Sequence, residues 1–243
     1  MEVAERPTFE TEVSKRIYEY VERHGTANRH VVQQTVSAPA EEFERELDRL
    51  ESRGYLDDEG GTLRVALDVG AVEEYETAGT SFTIRPARQD DFEGLVAAIR
   101  AVTDEETYVV AESIAEQLLY EETVTRHNSV ESRVFFVATI DEGLVGWTHL
   151  DLPQVSRVRE TAKQTVGVVP EHRRAGIGGK LLQRGLDWAE ANGFRKVYNS
   201  VPVTNAAALE FLGDHGWETE AIRRDHYTID GEYVDEAMMA YTF

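Results

Sequence analysis

The stretch VVPEHRRAGIGGKLL, from Val168 to Leu182, sets Arg173, Arg174 and Lys180 around Gly176, Gly178 and Gly179 in a 243-residue chain of formal net charge -21. From residue 157 to residue 184 seven basic residues (Arg157, Arg159, Lys163, Arg173, Arg174, Lys180, Arg184) face only Glu160 and Glu171, a local excess of +5. Positive charge beside glycines is what an anion asks for. Glycine lets a ligand approach the backbone without a β-carbon in the way, and the first turn of a helix offers amides with no internal partner, reinforced by the helix dipole. A phosphate or pyrophosphate is the simplest ligand. Two familiar phosphate loops do not fit: a Walker A loop needs a glycine at Arg174 and a Ser or Thr at Leu181, and a dinucleotide fingerprint from Gly176 needs its third glycine at Leu181.

The elements that must carry this loop follow from periodicity. TAKQTVGVV reads as a strand running into Pro170, and a helix follows from about Gly176 to Asn192, so the loop joins a strand to a helix N-terminus. Upstream, FTIRPA is a strand, Asp90 or Asp91 caps a helix through DFEGLVAAIRAV, and AESIAEQLLYEETV carries a second apolar stripe. RVFFVATID and LVGWTHLDL form a hairpin turning at Asp141-Glu142-Gly143. The stretch from Asp68 to Ser81 is polar, acidic and aperiodic, which predicts a linker over 71–81 between residues 1–70 and residues 82–243.

The first 70 residues read differently. Val13, Ile17 and Val21 line one face of a helix closed by Gly25, ANRHVVQQTV suits a second, and Ser37 caps a third with Phe43, Leu47 and Leu50 inward. GYLDDEGGTLRVAL then makes a hairpin at Gly60-Gly61. Three helices and a hairpin, with FERELDRLESRGYL as the most familiar piece, resemble a winged helix-turn-helix domain over about residues 8–68. The third helix sets six carboxylates against three arginines, and residues 1–80 sum to about -10. That charge favours protein contact, homodimerisation or regulation over operator binding, with Arg23, Arg29 and Arg64 left for a few DNA contacts.

Composition narrows the classes further. With no cysteine, disulfides, thiolate–metal sites and cysteine nucleophiles are excluded. MEVAERPTFETEV is acidic and lacks an apolar run, and no stretch reaches the ~20 apolar residues of a membrane span, so a soluble, cytoplasmic protein without membrane contact is expected. Only four lysines accompany 46 carboxylates, a balance that resembles the proteins of extreme halophiles, where hydrated carboxylates maintain solubility in screening salt.

Arg173-x-x-Gly176-x-Gly178, preceded by Val168-x-Pro170, resembles the pyrophosphate loop of the GNAT acetyltransferase superfamily. Asn205-Ala206-Ala207-Ala208 opening a helix that ends at Gly216-Trp217, and a final hairpin at Asp230-Gly231 before VDEAMMAYTF, extend the likeness over residues 82–243. The resemblance implies an α/β (α+β) fold with a mixed central sheet and flanking helices, and acetyl-CoA as co-substrate without a metal, held in a V-shaped gap between two parallel strands. It implies that Val166, Gly167 and Val168 offer strand backbone to the pantetheine and thioester. Arg173, Arg174, Ala175, Gly176, Ile177, Gly178, Gly179 and Lys180 would hold the pyrophosphate, and Asn205 would bond the pantetheine arm. Direct transfer of acetyl to an amine follows from the same likeness.

That transfer moves protons, because an alkylammonium of pKa near ~10 must lose one before attack. The C-terminal part most resembles the branch that acetylates protein N-termini, including those of ribosomal proteins, where a glutamate five residues before the asparagine is the base and a tyrosine seven after it the acid. Here those positions are Ser200 and Leu212. Glu160, His149 and Asp151 are the substitute bases, and Tyr227, Tyr241 and His215 the substitute acids. The alternative is a transcriptional or sensory regulator whose GNAT domain binds acyl-CoA without turnover.

Overall fold

The computed structural model describes residues 7–66, 70–77, 79–103, 109–128, 132–153 and 160–243. The amino-terminal unit is built on α1 (Glu12–His24), β1 (Thr26–Asn28), α2 (Arg29–Val36), α3 (Ala40–Ser52), β2 (Leu56–Glu59) and β3 (Thr62–Val65). Thr11 opens α1 with a capping box to Ser14, and Gly25 closes it at φ 72°. Val13, Ile17, Tyr18 and Val21 of α1 pack on Val32, Phe43, Leu47, Leu50, Leu56 and Leu63, a core separate from the rest. Burying each such side chain contributes about 1.5–3 kcal/mol, which is how so acidic a segment folds. The three strands pair in the order β1–β3–β2, with β1 an addition to the expected hairpin. Ser37 is a left-handed residue ending α2, and Pro39 precedes α3, so Ser37 does not cap the third helix.

Residues read as a linker contain a strand. β4 (Glu73–Thr77) pairs antiparallel with β5 (Thr80–Pro86) along its length. An edge strand needs only one buried face, so a single Tyr75 packed on the core among Glu73, Glu74 and Glu76 suffices, and the carboxylates guard the open edge. Arg184 anchors it: Nη1 lies 3.1 Å from Glu73 Oε1 and the guanidinium 4.7 Å over the Phe136 ring.

After a 3₁₀ turn at Gln89–Asp91 come α4 (Phe92–Thr103), α5 (Val109–Glu121), β6 (Arg126–His127), β7 (Ser132–Ile140), β8 (Gly143–Leu152) and β9 (Thr161–Val168). Next are α6 (Ile177–Ala191), β10 (Lys196–Pro202), α7 (Ala206–Asp214), β11 (Glu218–Ile229) and β12 (Glu232–Thr242). Among the described residues they make a nine-stranded mixed sheet ordered β11–β12–β10–β9–β8–β7–β5–β4, with β6 paired to β7. Leu95, Ile99, Ile114 and Leu118 of α4 and α5 cover one face against Phe135, Val137 and Trp147. Ile177, Leu181, Leu182, Leu186 and Trp188 of α6 cover the other.

β9 and β10 form the parallel pair, in register from Thr161↔Lys196 to Lys163↔Tyr198. Beyond that the ladder stops, and Gln164–Val168 parts from Asn199–Pro202. β10 keeps its full pairing with β12, so the gap opens on the β9 side alone. Gln164 pins the split strand: its Nε2 donates to Thr148 Oγ1 at 3.0 Å and to the Leu182 carbonyl at 2.9 Å, tying β8, β9 and α6 together.

Contacts also join α1 to the larger sheet. Tyr18 Oη donates to the His127 carbonyl at 2.5 Å, and Glu22 Oε1 takes Arg126 at 3.1 Å and Asn128 at 2.8 Å.

Candidate active site

The parting of β9 from β10 opens a groove of about 850 Å³. Val166, Gly167 and Val168 form one wall, and Asn199, Ser200, Val201 and Pro202 the other. Gly167 has no room for a side chain, since a Cβ there would meet the Trp147 indole at 2.8 Å.

The floor at one end is the glycine loop. Arg174 (φ 65°) and Gly176 (φ 80°) are both left-handed, and Gly176 is the N-cap of α6 without a side-chain cap. Left-handed residues in a turn bend successive amides into a concave strip suited to an anion. The helix dipole adds its positive end. Thr77 of β4 donates its hydroxyl to the Ala175 carbonyl, and a Cβ at Gly176 would stand 2.9 Å from Thr77 Oγ1. The edge strand therefore clamps the loop from outside. Arg173 Nε donates to the Val168 carbonyl at 3.0 Å, closing the loop back on its strand.

Of the residues expected to bind a phosphorylated ligand, Val166, Gly167, Val168, Arg173, Arg174, Gly176, Gly178, Gly179, Lys180 and Asn205 line this groove. Ile177 does not, because its side chain is buried in the core beneath the loop, and Ala175 packs against the same core. Asn205 Oδ1 accepts from the Ala208 amide at 3.0 Å, so the residue caps α7 while facing the groove. The +5 island is thinner than its sequence: Arg184 is committed to Glu73, and Arg157 and Arg159 lie outside the described residues. Ala207, Ala208, Leu212 and His215 also line it, as do Thr77, Gln183, Glu210, Phe211 and Asp214, which carry no local sequence signal.

The candidate proton carriers scatter. Glu160 is exposed beside Arg195, 3.6 Å away, and precedes Val166 by six residues, about 20 Å of extended strand. It stands outside the groove lining. His149 is buried against Phe135, ring centroids 4.5 Å apart, and burial, aided by Arg133 and Lys163, pushes its pKa down to about 3. A neutral imidazole so reluctant to charge is a poor proton acceptor. Burial raises Asp151 despite Lys163 and Arg133 nearby. His215 belongs to the loop end: its Nδ1 bonds the Phe211 carbonyl at 2.7 Å, and its Nε2 would meet a Cβ at Gly179 at 2.8 Å. Tyr241 packs beside Trp217, with ring centroids 6.1 Å apart. Leu212, seven residues after Asn205, is buried and borders the groove with an aliphatic side chain that can carry no proton.

Tyr227 alone among them joins a polar constellation. Its hydroxyl donates to Glu236 Oε1 at 2.9 Å, and burial together with that carboxylate holds the phenol protonated, well above its ordinary range. Glu236 is 2% exposed and carries no local sequence signal. Burial works to raise its pKa, but the Ser200 and Tyr227 hydroxyls, His226 and Arg223 outweigh it and hold the carboxyl below the usual carboxylate range.

Comparison with known proteins agrees with this geometry. The model of the acetyltransferase (GNAT) family matches residues 93–217, which takes in the loop and both parted strands. Spermidine N(1)-acetyltransferase of Vibrio cholerae is 26% identical over 114 residues, 46% of this chain and 64% of its own length. The [ribosomal protein bS18]-alanine N-acetyltransferase of Escherichia coli K12 is 34% identical over 76 residues, 31% of this chain and 51% of its own. The chain thus spans between half and two thirds of these relatives. A GNAT-family acetyltransferase structure from Streptococcus pneumoniae superposes with a TM-score of 0.55 at 21% identity, covering 67% of this chain and 99% of that one. Salmonella typhimurium yncA, solved with its cofactor acetyl-CoA, gives 0.53 at 20% identity, covering 66% and 93%. A sheet that splits where the glycine loop begins, inside the span the family model matches, leaves one assignment: the chain belongs to the acetyltransferase (GNAT) family.

Proposed function

We propose that this protein is an acetyl-CoA-dependent N-acetyltransferase acting on an amine of a small molecule or a protein. The groove carries this reading: cations and unpaired helix-start amides at one end, bare strand backbone and Asn205 toward the other, in a shape that suits a long phosphorylated thiol ester. The amides from Arg174 to Gly179, with Arg173 and Lys180, hold the pyrophosphate. Val166, Gly167 and Val168 bond the pantetheine and orient the thioester, and the Asn205 amide group bonds the arm. Acetyl-CoA supplies an activated acyl group, so the chain has to bind, orient and manage protons. Orientation alone contributes much of the acceleration.

The amino-terminal unit, read as a winged helix, recruits or regulates rather than binding DNA. Its arginines support this: Arg29 is paired with Glu44 and Asp58, and Arg64 with Asp57 and Glu59. Its seat on β6 through Tyr18 and Glu22 gives it a route to the sheet that bears the site.

Thiol release from acetyl-CoA in the presence of spermidine, or of a peptide beginning with alanine, tests the activity. Turnover above the rate with no amine is expected for at least one of them. Acetyl-CoA binding without thiol release for any amine in a broad panel would contradict the reading.

A further inference from the structure

The two sides of the groove's anion end differ in charge. On one, Lys180 of α6 leans over the Tyr75 ring of β4, its Nζ 5.2 Å from the ring centroid. On the other, α7 and its C-cap contribute Glu210, Asp214 and His215 to the lining. A coenzyme that carries several phosphate charges has to lie along this acidic wall, where like charges repel. Of the residues on that wall, only His215 can become a cation to offset them.

The imidazole is held in one orientation. Its Nδ1 lies 2.7 Å from the Phe211 carbonyl, and the ring packs on the Phe211 ring with centroids 4.5 Å apart. Nε2 is the leading atom toward the glycine loop: a Cβ at Gly179 would stand 2.8 Å from it, against 3.6 Å from Cε1 and 3.8 Å from Cδ2. The missing side chain at Gly179 thus lets Nε2 reach the first turn of α6, beside its amides. A carbonyl only accepts, so Nδ1 carries a hydrogen and the neutral ring turns a bare lone pair of Nε2 toward that turn. A lone pair repels a phosphate oxygen, whereas the imidazolium has a hydrogen on both nitrogens and bonds it.

We infer that His215 is a proton-dependent ligand of a phosphate group of the coenzyme, so that acetyl-CoA binds together with a proton. The other charged groups at this end are Lys180 from α6, Arg173 and Arg174 from the loop, and Glu210 and Asp214 from α7. Tyr241 of β12 stands behind the neighbouring Gly216. Side chains of those types ordinarily keep their charge between pH 6 and 8, and imidazole changes its own there. A bound phosphate favours the charged ring, so binding takes up a proton and affinity falls as pH rises through that window.

The inference rests on the acetyltransferase reading, and the test separates the two. Acetyl-CoA is titrated calorimetrically into the wild type and His215→Ala at pH 6, 7 and 8, at each pH in two buffers of different ionisation heat. The variant should bind about tenfold more weakly at pH 6 and within about threefold at pH 8. Buffer-dependent heat at pH 7 should be larger in the wild type, which takes up the extra proton. The coenzyme's phosphate monoester titrates near pH 6 in both proteins and cancels in the comparison. His215→Arg, a cation at every pH, should hold the coenzyme without the wild type's decline toward pH 8. Dephospho-coenzyme A separates the two phosphates: a pH-dependent gap between wild type and His215→Ala that persists places Nε2 on the pyrophosphate, and one that vanishes places it on the ribose phosphate. Should His215→Ala not fold, NMR of the His215 ring in the wild type decides, with a titration midpoint about one pH unit higher when coenzyme A is bound. A wild type that binds no acetyl-CoA at any pH overturns the acetyltransferase reading and this ligand with it. A wild type that binds while His215→Ala matches it within about threefold at pH 6, or whose His215 midpoint ignores the coenzyme, overturns the role of His215 alone.

Discussion

Trp147 lies directly beneath Gly167, so close that any side chain at Gly167 would press on the indole from 2.8 Å. The ring is fully buried in the core under α4 and α5 and holds the outward strand at the height where its backbone forms the groove wall. Gly167→Val should therefore cost about 1–3 kcal/mol through overpacking and weaken acetyl-CoA binding with it. Chemical denaturation and calorimetry on the variant check both. Unchanged stability would show that the strand can lift from the indole freely.

Two buried histidines make stability depend on pH in a stated direction. Burial lowers His149 to about 3 and His127 to about 4, the latter against the pull of Glu22. Both folded values lie below the ordinary 6.5, so the unfolded chain binds more protons below that pH. Their contribution is complete above 6.5 and is lost as pH falls from 6.5 toward 4, at roughly 1.4 kcal/mol per pH unit for each histidine. His149→Gln should roughly halve the slope of unfolding free energy between pH 6.5 and 5. A variant with the wild-type slope would remove His149 from this account.

The seam between α1 and β6 is built from charge rather than oil. Glu22 is 6% exposed and is shared by Arg126 and Asn128. Glu22→Ala leaves the Arg126 guanidinium with one carboxylate, Glu121, and should cost about 1–3 kcal/mol. Differential scanning calorimetry should show the wild type melting as one transition and the variant as two, with the amino-terminal unit first. A single sharp transition in the variant would mean that the two cores are coupled elsewhere.

Salt should stabilise the protein. The chain carries 46 carboxylates against 25 basic side chains, and its exposed pairs, such as Arg64 with Glu59, contribute only about 0–1 kcal/mol each. Screening the excess negative charge outweighs the loss of those pairs. Tm should climb as KCl rises into the molar range. A flat or falling Tm would contradict the halophile-like reading of the composition.

The sequence shows its helices and loop well and its edges poorly. α1, α3 and α6 each carry a long apolar stripe, and Arg173 to Lys180 announce an anion site by charge and glycine spacing alone. β4 hides because an edge strand with one half-buried tyrosine has the composition of a linker, and Thr77 goes unnoticed with it. Glu236 hides for another reason. VDEAMMAYTF has several carboxylates on or beside a strand, and only the register of β12 on β11 decides which meets Tyr227. Tyr227 could be nominated as a late aromatic, while Glu160, closer to the loop in sequence, ends at the far end of β9.

The most direct test of the central claim is a calorimetric titration of acetyl-CoA into the wild type and into Gly178→Leu. Gly178 faces the groove, and a Cβ there would sit 3.5 Å from Val168 and 3.6 Å from Phe211, ordinary contacts that leave the fold intact. Replacing a helical glycine should even add about 0.5–1 kcal/mol to the stability of α6, while the leucine side chain fills the space over the amides. The account predicts micromolar binding by the wild type and at least about a hundredfold loss, some 2.7 kcal/mol, in a variant that melts no lower. Equal affinity in the two proteins, or none in the wild type, would contradict it.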